Sequence, residues 1–197
     1  MQVKDKFLEK INFLVFFFSL FFSNNLIAEN LHDKIFNYND KLKNSSANFI
    51  QTNSNNLQEG KIFFGKNRIK IVYEKPQKIT IILSEKKGAY INHELRESHF
   101  FATKKSYVRF FFDVFNKRDH IEKINIKNSY NKIEVSEKIE IDRIFYNVKL
   151  TYENEPIKLR LLEIKNEEET IQMGFFDHKK EGGFEKKFFS MADPYLN

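Results

Sequence analysis

From Phe49 to Phe101 the apolar residues recur at every second position, in short runs broken by turn residues. No other feature constrains the fold as much. Side chains of an extended strand point alternately to opposite faces, so each run reads as a strand with one buried face. The runs are Phe49 and Gln51; Gly60 to Phe64; Ile69, Ile71 and Tyr73; Ile79, Ile81 and Leu83; Ala89 to Ile91; and Phe100. Between them lie Asn53–Asn56, Gly65–Asn67, Lys75–Pro76, Glu85–Gly88 and Glu94–Leu95. Strands about 8–12 residues apart with turn signals between them mark an antiparallel meander or barrel.

The period changes twice. Leu31, Ile35, Tyr38 and Leu42 are spaced as one face of a helix, which predicts helix over 30–44. Tyr107, Phe111, Val114 and Phe115 do the same within Ser106–Phe115, leaving Arg109, Asp113 and Asn116 off that stripe. Strands are then predicted at Ile121–Ile126, Lys132–Ile139, Ile144–Tyr152, Ile157–Ile164 and Thr170–Phe176. The tail from Phe184 reads as a loop with a short helix or strand. One antiparallel sheet of about ten strands must curl or close, so the class is mainly β with helices available to cover a strongly curved sheet. Its interior is either filled by side chains or open to an apolar ligand.

Met1–Ala28 reads as a secretory signal. Lys4, Lys6 and Lys10 form a basic start, Ile11–Phe22 is an apolar stretch of 12 residues, and a polar stretch leads to Ala28. Twelve is short of the ~20 apolar residues a spanning helix needs. Residues 29–197 are then one exported domain. The chain has no Cys, which excludes disulfides, thiolate metal sites, a cysteine nucleophile and a lipid-modified N-terminal cysteine. Its net charge of +6 is dispersed among acids, as in Glu85-Lys86-Lys87, and no block of like charge marks a nucleic-acid footprint. Anionic headgroups or an acidic partner suit that charge better.

Tests for chemistry find little. Gly60-Lys-Ile-Phe-Phe-Gly65-Lys66 imitates a phosphate loop, but Asn67 replaces the magnesium-binding hydroxyl and strand follows where a helix is needed. The five His show no metal-ligand spacing, and no nucleophile elbow is present. Asp113, Asp142 and Asp177 read as solvated face residues. No enzyme, metal or cofactor is expected.

The order helix, Phe49-Ile50-Gln51, Gly60-led strand, basic turn, Ile71-Val72-Tyr73, Pro76 and strand Ile79–Leu83 resembles the start of the LolA family of periplasmic carriers of outer-membrane lipoproteins. Tyr90, the helix near 106–115 and the Phe-containing tail ending in Pro194 resemble it too. The likeness spans most of 29–197 and is strongest over 47–101. It implies an incomplete barrel lidded by helices and a cavity for lipoprotein acyl chains. Its implied partners are an inner-membrane ABC transporter and an outer-membrane lipoprotein receptor, with the carrier a monomer in the periplasm.

Candidate cavity residues are Ile69, Ile71, Tyr73, Ile79, Ile81, Leu83 and Phe100, covered by Phe111 and Phe115. The family's Arg-Pro after the Gly-led strand is replaced by Lys66-Asn67, which makes Lys66 the candidate for holding the lid shut. Of the 23 Phe, eight (Phe63, Phe64, Phe100, Phe101, Phe110, Phe111, Phe112 and Phe115) gather where a cavity would be walled and covered. Two other readings stay open: a carrier of another lipid or glycolipid on the same fold, and an exported scaffold with a filled barrel.

Overall fold

Eleven strands form a single antiparallel sheet in the computed structural model, which describes residues 30–53 and 56–195. The expected signal at 1–28 lies outside the described residues. After α1 (Leu31–Lys41) come β1 (Ser45–Asn53), β2 (Asn56–Gly65), β3 (Arg68–Lys75), β4 (Ile79–Leu83), β5 (Lys87–Asn92) and β6 (Glu97–Ala102). A 3-10 turn at Thr103–Lys105, α2 (Val108–Asn116) and the short α3 (Arg118–Ile121) follow. The chain returns as β7 (Asn125–Ser129), β8 (Lys132–Ile141), β9 (Ile144–Asn154), β10 (Ile157–Lys165) and β11 (Thr170–Lys180), and ends past a 3-10 turn at Lys186–Phe189.

The sheet order is β6-β5-β4-β3-β2-β1-β11-β10-β9-β8-β7. Its first and last strands therefore pair at the centre, and the open edges β6 and β7 are joined through the helical segment. Register shifts at Ser46/Asn48, Glu59/Gly60 and Leu159/Leu161 interrupt the ladders. Such bulges bend a strand and increase its twist. The expected curved sheet with helices against it is what the chain forms.

The alternation works as the sequence requires. Ile69 pairs Leu83, Ile71 pairs Ile81, and Tyr73 pairs Ile79, so all six share one face. That face, with Val148, Leu150 and Tyr152 of β9 and Met173 and Phe175 of β11, packs against the buried aromatics of α2 in one core. Gly60 is needed for a close approach: a Cβ there would lie 2.1 Å from the Val72 carbonyl oxygen and 2.7 Å from the Phe49 ring. The opposite face of β2–β5 carries a second cluster, in which Phe189 and Met191 of the tail cover Ile82 and Ala89.

One predicted element changes type. The strand expected at 121–126 is α3 followed by β7. Ile121 and Ile124 are both buried in the core, and a three-residue spacing serves one face of a helical turn. So short an apolar run does not distinguish the two structures by periodicity. Among the described residues no helix is long and apolar enough to cross a membrane.

Candidate functional site

The concave face of the sheet holds an enclosed cavity of about 100 Å3. Ile71 and Tyr73 of β3 and Ile81 and Leu83 of β4 form one wall; Leu162 and Ile164 of β10 and Ile171 and Met173 of β11 form another. Tyr107, Val108 and Phe111, at the start of α2, complete it from the helical side, and Gln51 and Val148 fill the remainder. Two of its polar side chains, Tyr73 and Gln51, are hydrogen-bonded. The Tyr73 hydroxyl donates to Gln51 Oε1 at 2.9 Å, and Gln51 Nε2 donates to Gln58 Oε1 at 2.8 Å. Burial raises the Tyr73 and Tyr107 hydroxyls above the ordinary phenol range, and both are neutral. The lining is thus apolar and uncharged.

Five of the sequence candidates, Ile71, Tyr73, Ile81, Leu83 and Phe111, line this cavity. Ile69 and Ile79 share their face and belong to the same core but do not line the cavity. Phe115 sits between Phe64 and Phe111, with centroids 5.0 and 4.8 Å away, behind the cover rather than at the wall. Phe100 is elsewhere. It pairs with Ala89 on the convex face and is 57% exposed, while Phe101 pairs with Gly88 and packs against the main core. A single position decides this, because neighbouring strand residues point to opposite faces. Phe63 also lies on the convex side, in ring contact with Phe184 and Phe188. The walls from β9, β10 and β11 escaped the sequence candidates, although 148/150/152 and 171/173/175 carry the same alternation.

Lys66 stands exposed in the β2–β3 turn, where Asn67 has a φ of 56°. No hydrogen bond or ion pair joins it to another described residue. The neighbouring Arg68 and Lys70 bind the tail instead, donating to the carbonyls of Phe189 and Phe188 at 3.2 Å each. The helices are fastened elsewhere. Asn39 of α1 is buried and donates to the Val114 carbonyl of α2 at 3.0 Å, while accepting from the Tyr152 hydroxyl at 3.3 Å. The Tyr38 hydroxyl accepts the backbone N–H of Leu159 at 2.8 Å, which fixes α1 to β10.

Asp113 departs from its expected solvated position. It is 3% exposed, with Lys117 Nζ at 2.9 Å and Arg109 Nε at 3.3 Å. Lys117 also reaches Glu85 at 3.1 Å, tying α2 to the β4–β5 turn. The hydrogen bond that Lys117 donates to Asp113 is the main reason its ammonium is held above the ordinary lysine range. A carboxylate off the apolar stripe is buried here because α2 is enclosed nearly all round.

A second, open cleft of about 820 Å3 lies beside α3 and strands β8–β10. His120, Lys123, Glu137 and Val148 are among its lining residues, and Val148 also lines the apolar cavity. His120 Nε2 is 3.4 Å from the Glu137 carboxylate.

No protein-family model matches the chain, and no curated protein matches it. Solved structures do. An uncharacterized conserved protein from Thermus thermophilus is 6% identical with a TM-score of 0.47, the match covering 81% of this chain and 93% of that one. LprF from Mycobacterium bovis is 10% identical with a TM-score of 0.36, covering 75% and 90%. MucB, solved in complex with MucA(peri), is 7% identical with a TM-score of 0.43, covering 82% of this chain and 58% of that one. With TM-scores below 0.5, these likenesses bear on neither ligand nor partner.

Proposed function

We propose that this chain is an exported, non-catalytic carrier of LolA type that shelters the acyl chains of lipoproteins between the inner and outer membranes. The observation that carries this reading is the uncharged apolar cavity between the sheet and the start of α2. Each CH2 drawn out of lipid costs about 0.8 kcal/mol, so one acyl chain of roughly 14 carbons costs on the order of 10 kcal/mol in water. Passage between two membranes needs an apolar shelter. An inner-membrane ABC transporter would load it, and an outer-membrane receptor would unload it.

At about 100 Å3 the cavity is smaller than the ~150 Å3 that admits a benzene, and far below the ~300 Å3 at which ordinary ligand pockets begin. The described conformation is therefore the closed one. Cargo enters when α1 and α2 move off the sheet, and a ligand favours the open state by its differential affinity for it. Asn39, rather than Lys66, holds the closed state.

Two measurements test the reading. Organic extracts of the purified protein, examined by mass spectrometry, should contain diacylglyceryl peptides; free phospholipid or glycolipid alone would identify a different cargo. Added to spheroplasts, the protein should release lipoproteins, and a normal yield of release in its absence would refute the carrier role.

A further inference from the structure

We propose that the polar end of the apolar cavity selects the head of the cargo, favouring a neutral, ester-linked acylglycerol over a phosphate. The inference rests on the carrier reading for the acyl chains and adds the residues that choose among amphiphiles.

The three polar side chains of the cavity lining, Gln51, Tyr73 and Tyr107, gather at one end. Tyr73 and Gln51 are joined by their hydrogen bond, and the Tyr107 ring lies 5.7 Å from that of Tyr146. Register brings Tyr90 and Tyr146 to the same face. Tyr90 pairs with Ile81, a cavity residue, and Tyr146 stands two positions before Val148, another. Burial is the main cause of the raised Tyr73 hydroxyl, and Tyr107 and Tyr90 add to it, as close neighbours do. Tyr90, Tyr107 and Tyr146 are half-buried, so this end of the cavity reaches the surface.

These phenols are unengaged. Among the described residues the hydroxyls of Tyr90, Tyr107 and Tyr146 have no hydrogen-bond partner. Each is a donor, and the carbonyl of an acyl ester is an acceptor only. A few placed polar groups in an apolar pocket are what fixes a ligand's orientation.

The charge at this end is negative. Glu169 precedes β11 in the same alternation as the cavity residues Ile171 and Met173. The Asn166 side chain fixes its turn by accepting the backbone N–H groups of Glu168 and Glu169 at 2.9 and 2.7 Å. Asn53, which pairs with Ile171, donates to the Glu169 carboxylate at 3.2 Å. No cation is in ion-pair range of Glu169 among the described residues. Its field reaches the lining: burial first, and the Glu169 charge second, raise the Tyr107 hydroxyl. Lys104 and Lys105, close in sequence, are exposed and do not offset it. His99, beside Tyr90 on the same face, faces the Glu97 carboxylate at 3.7 Å. A phosphate here meets an unpaired carboxylate, and like-charge juxtaposition discriminates against a partner. A neutral ester meets donors.

Isothermal calorimetry at low salt tests this with dihexanoylglycerol and dihexanoyl phosphatidylglycerol as probes. The proteins are wild type, Glu169→Gln, Tyr107→Phe/Tyr146→Phe and the control Glu168→Gln, an exposed acid in the same turn. Wild type should bind the neutral probe at least about fivefold more tightly than the phosphatidylglycerol. Glu169→Gln should tighten the phosphatidylglycerol about fivefold and leave the neutral probe unchanged. High salt should narrow the preference in wild type. The double Phe variant should weaken the neutral probe about threefold to tenfold, the worth of one or two hydrogen bonds. Glu168→Gln should behave as wild type.

Equal or tighter binding of phosphatidylglycerol by wild type, or an equal gain in Glu168→Gln, overturns the selection and leaves the carrier reading standing. An unchanged double Phe variant removes the phenols from it. Binding of neither probe by wild type overturns the carrier reading, and the selection with it. The two hydroxyls deleted have no partner to lose, and thermal melting checks that every variant folds.

Discussion

The side-chain amide of Asn39 donates to the carbonyl of Val114 at 3.0 Å, and this one bond joins α1 to the last turn of α2. Carbonyls in the last turn of a helix have no intrahelical partner, so Asn39 satisfies a group that burial would otherwise leave bare. Its own oxygen accepts from Tyr152, which lies at the floor of the sheet and is fully buried. Three layers thus meet at one amide.

Replacing Asn39 by Ala strands the Val114 carbonyl and the Tyr152 hydroxyl together. The expected cost is about 2 kcal/mol, read from chemical denaturation. The same variant should take up an acyl probe faster than wild type, because the bond is lost only from the closed state. Slower or unchanged uptake in stopped-flow fluorescence would separate Asn39 from closure.

Asp113→Asn should destabilise the protein by about 1–2 kcal/mol, less than for a fully buried ion pair because Arg109 and Lys117 remain partly exposed. High salt should narrow the gap between wild type and variant. Equal denaturation midpoints at low salt would assign Asp113 no structural part.

The strand pattern was legible because it needs nothing but the two-residue period. Ile69 to Leu83 landed on one face since β3 and β4 pair without a slip across Pro76. Phe100 did not, because its face depends on the residues counted through the Asn92–Glu97 turn, which periodicity does not supply. The walls from β9 to β11 were equally periodic, but β1 pairing with β11 brings them opposite β3 and β4, and no local signal announces that pairing. Asn39 was invisible for another reason. One polar residue at a helical position reads as solvated until its partner from residue 114 is known.

Gly60→Ala should cost about 2–3 kcal/mol, at the upper end of overpacking effects, since the added carbon meets a backbone oxygen that cannot rotate away. Differential scanning calorimetry gives the answer. A change within error would mean that the strand yields there.

Acid should weaken the fold in the range where His178 titrates. Burial is the main reason its imidazole is held below the ordinary value of 6.5, its Nε2–H donates to the Leu159 carbonyl at 3.0 Å, and Nδ1 is buried with no partner among the described residues. The unfolded chain then binds this proton more readily than the folded one, so stability falls as pH drops through 6.5 and below. Melting temperature should decline from about pH 7.5 to about pH 5.5, and His178→Gln should reduce that decline. An identical pH profile for the variant would assign the acid sensitivity to other groups.

The most direct measurement is equilibrium binding of a fluorescent fatty-acid probe to wild type, Ile81→Glu and Ile50→Glu. Ile81 lines the cavity, while Ile50 is 40% exposed outside it on β1. Wild type and Ile50→Glu should bind one probe per chain saturably, and Ile81→Glu should bind at least about tenfold more weakly, because a carboxylate in an apolar lining is costly to desolvate. Absence of saturable binding by wild type, or equal affinity for Ile81→Glu, would contradict an acyl-chain site in this cavity.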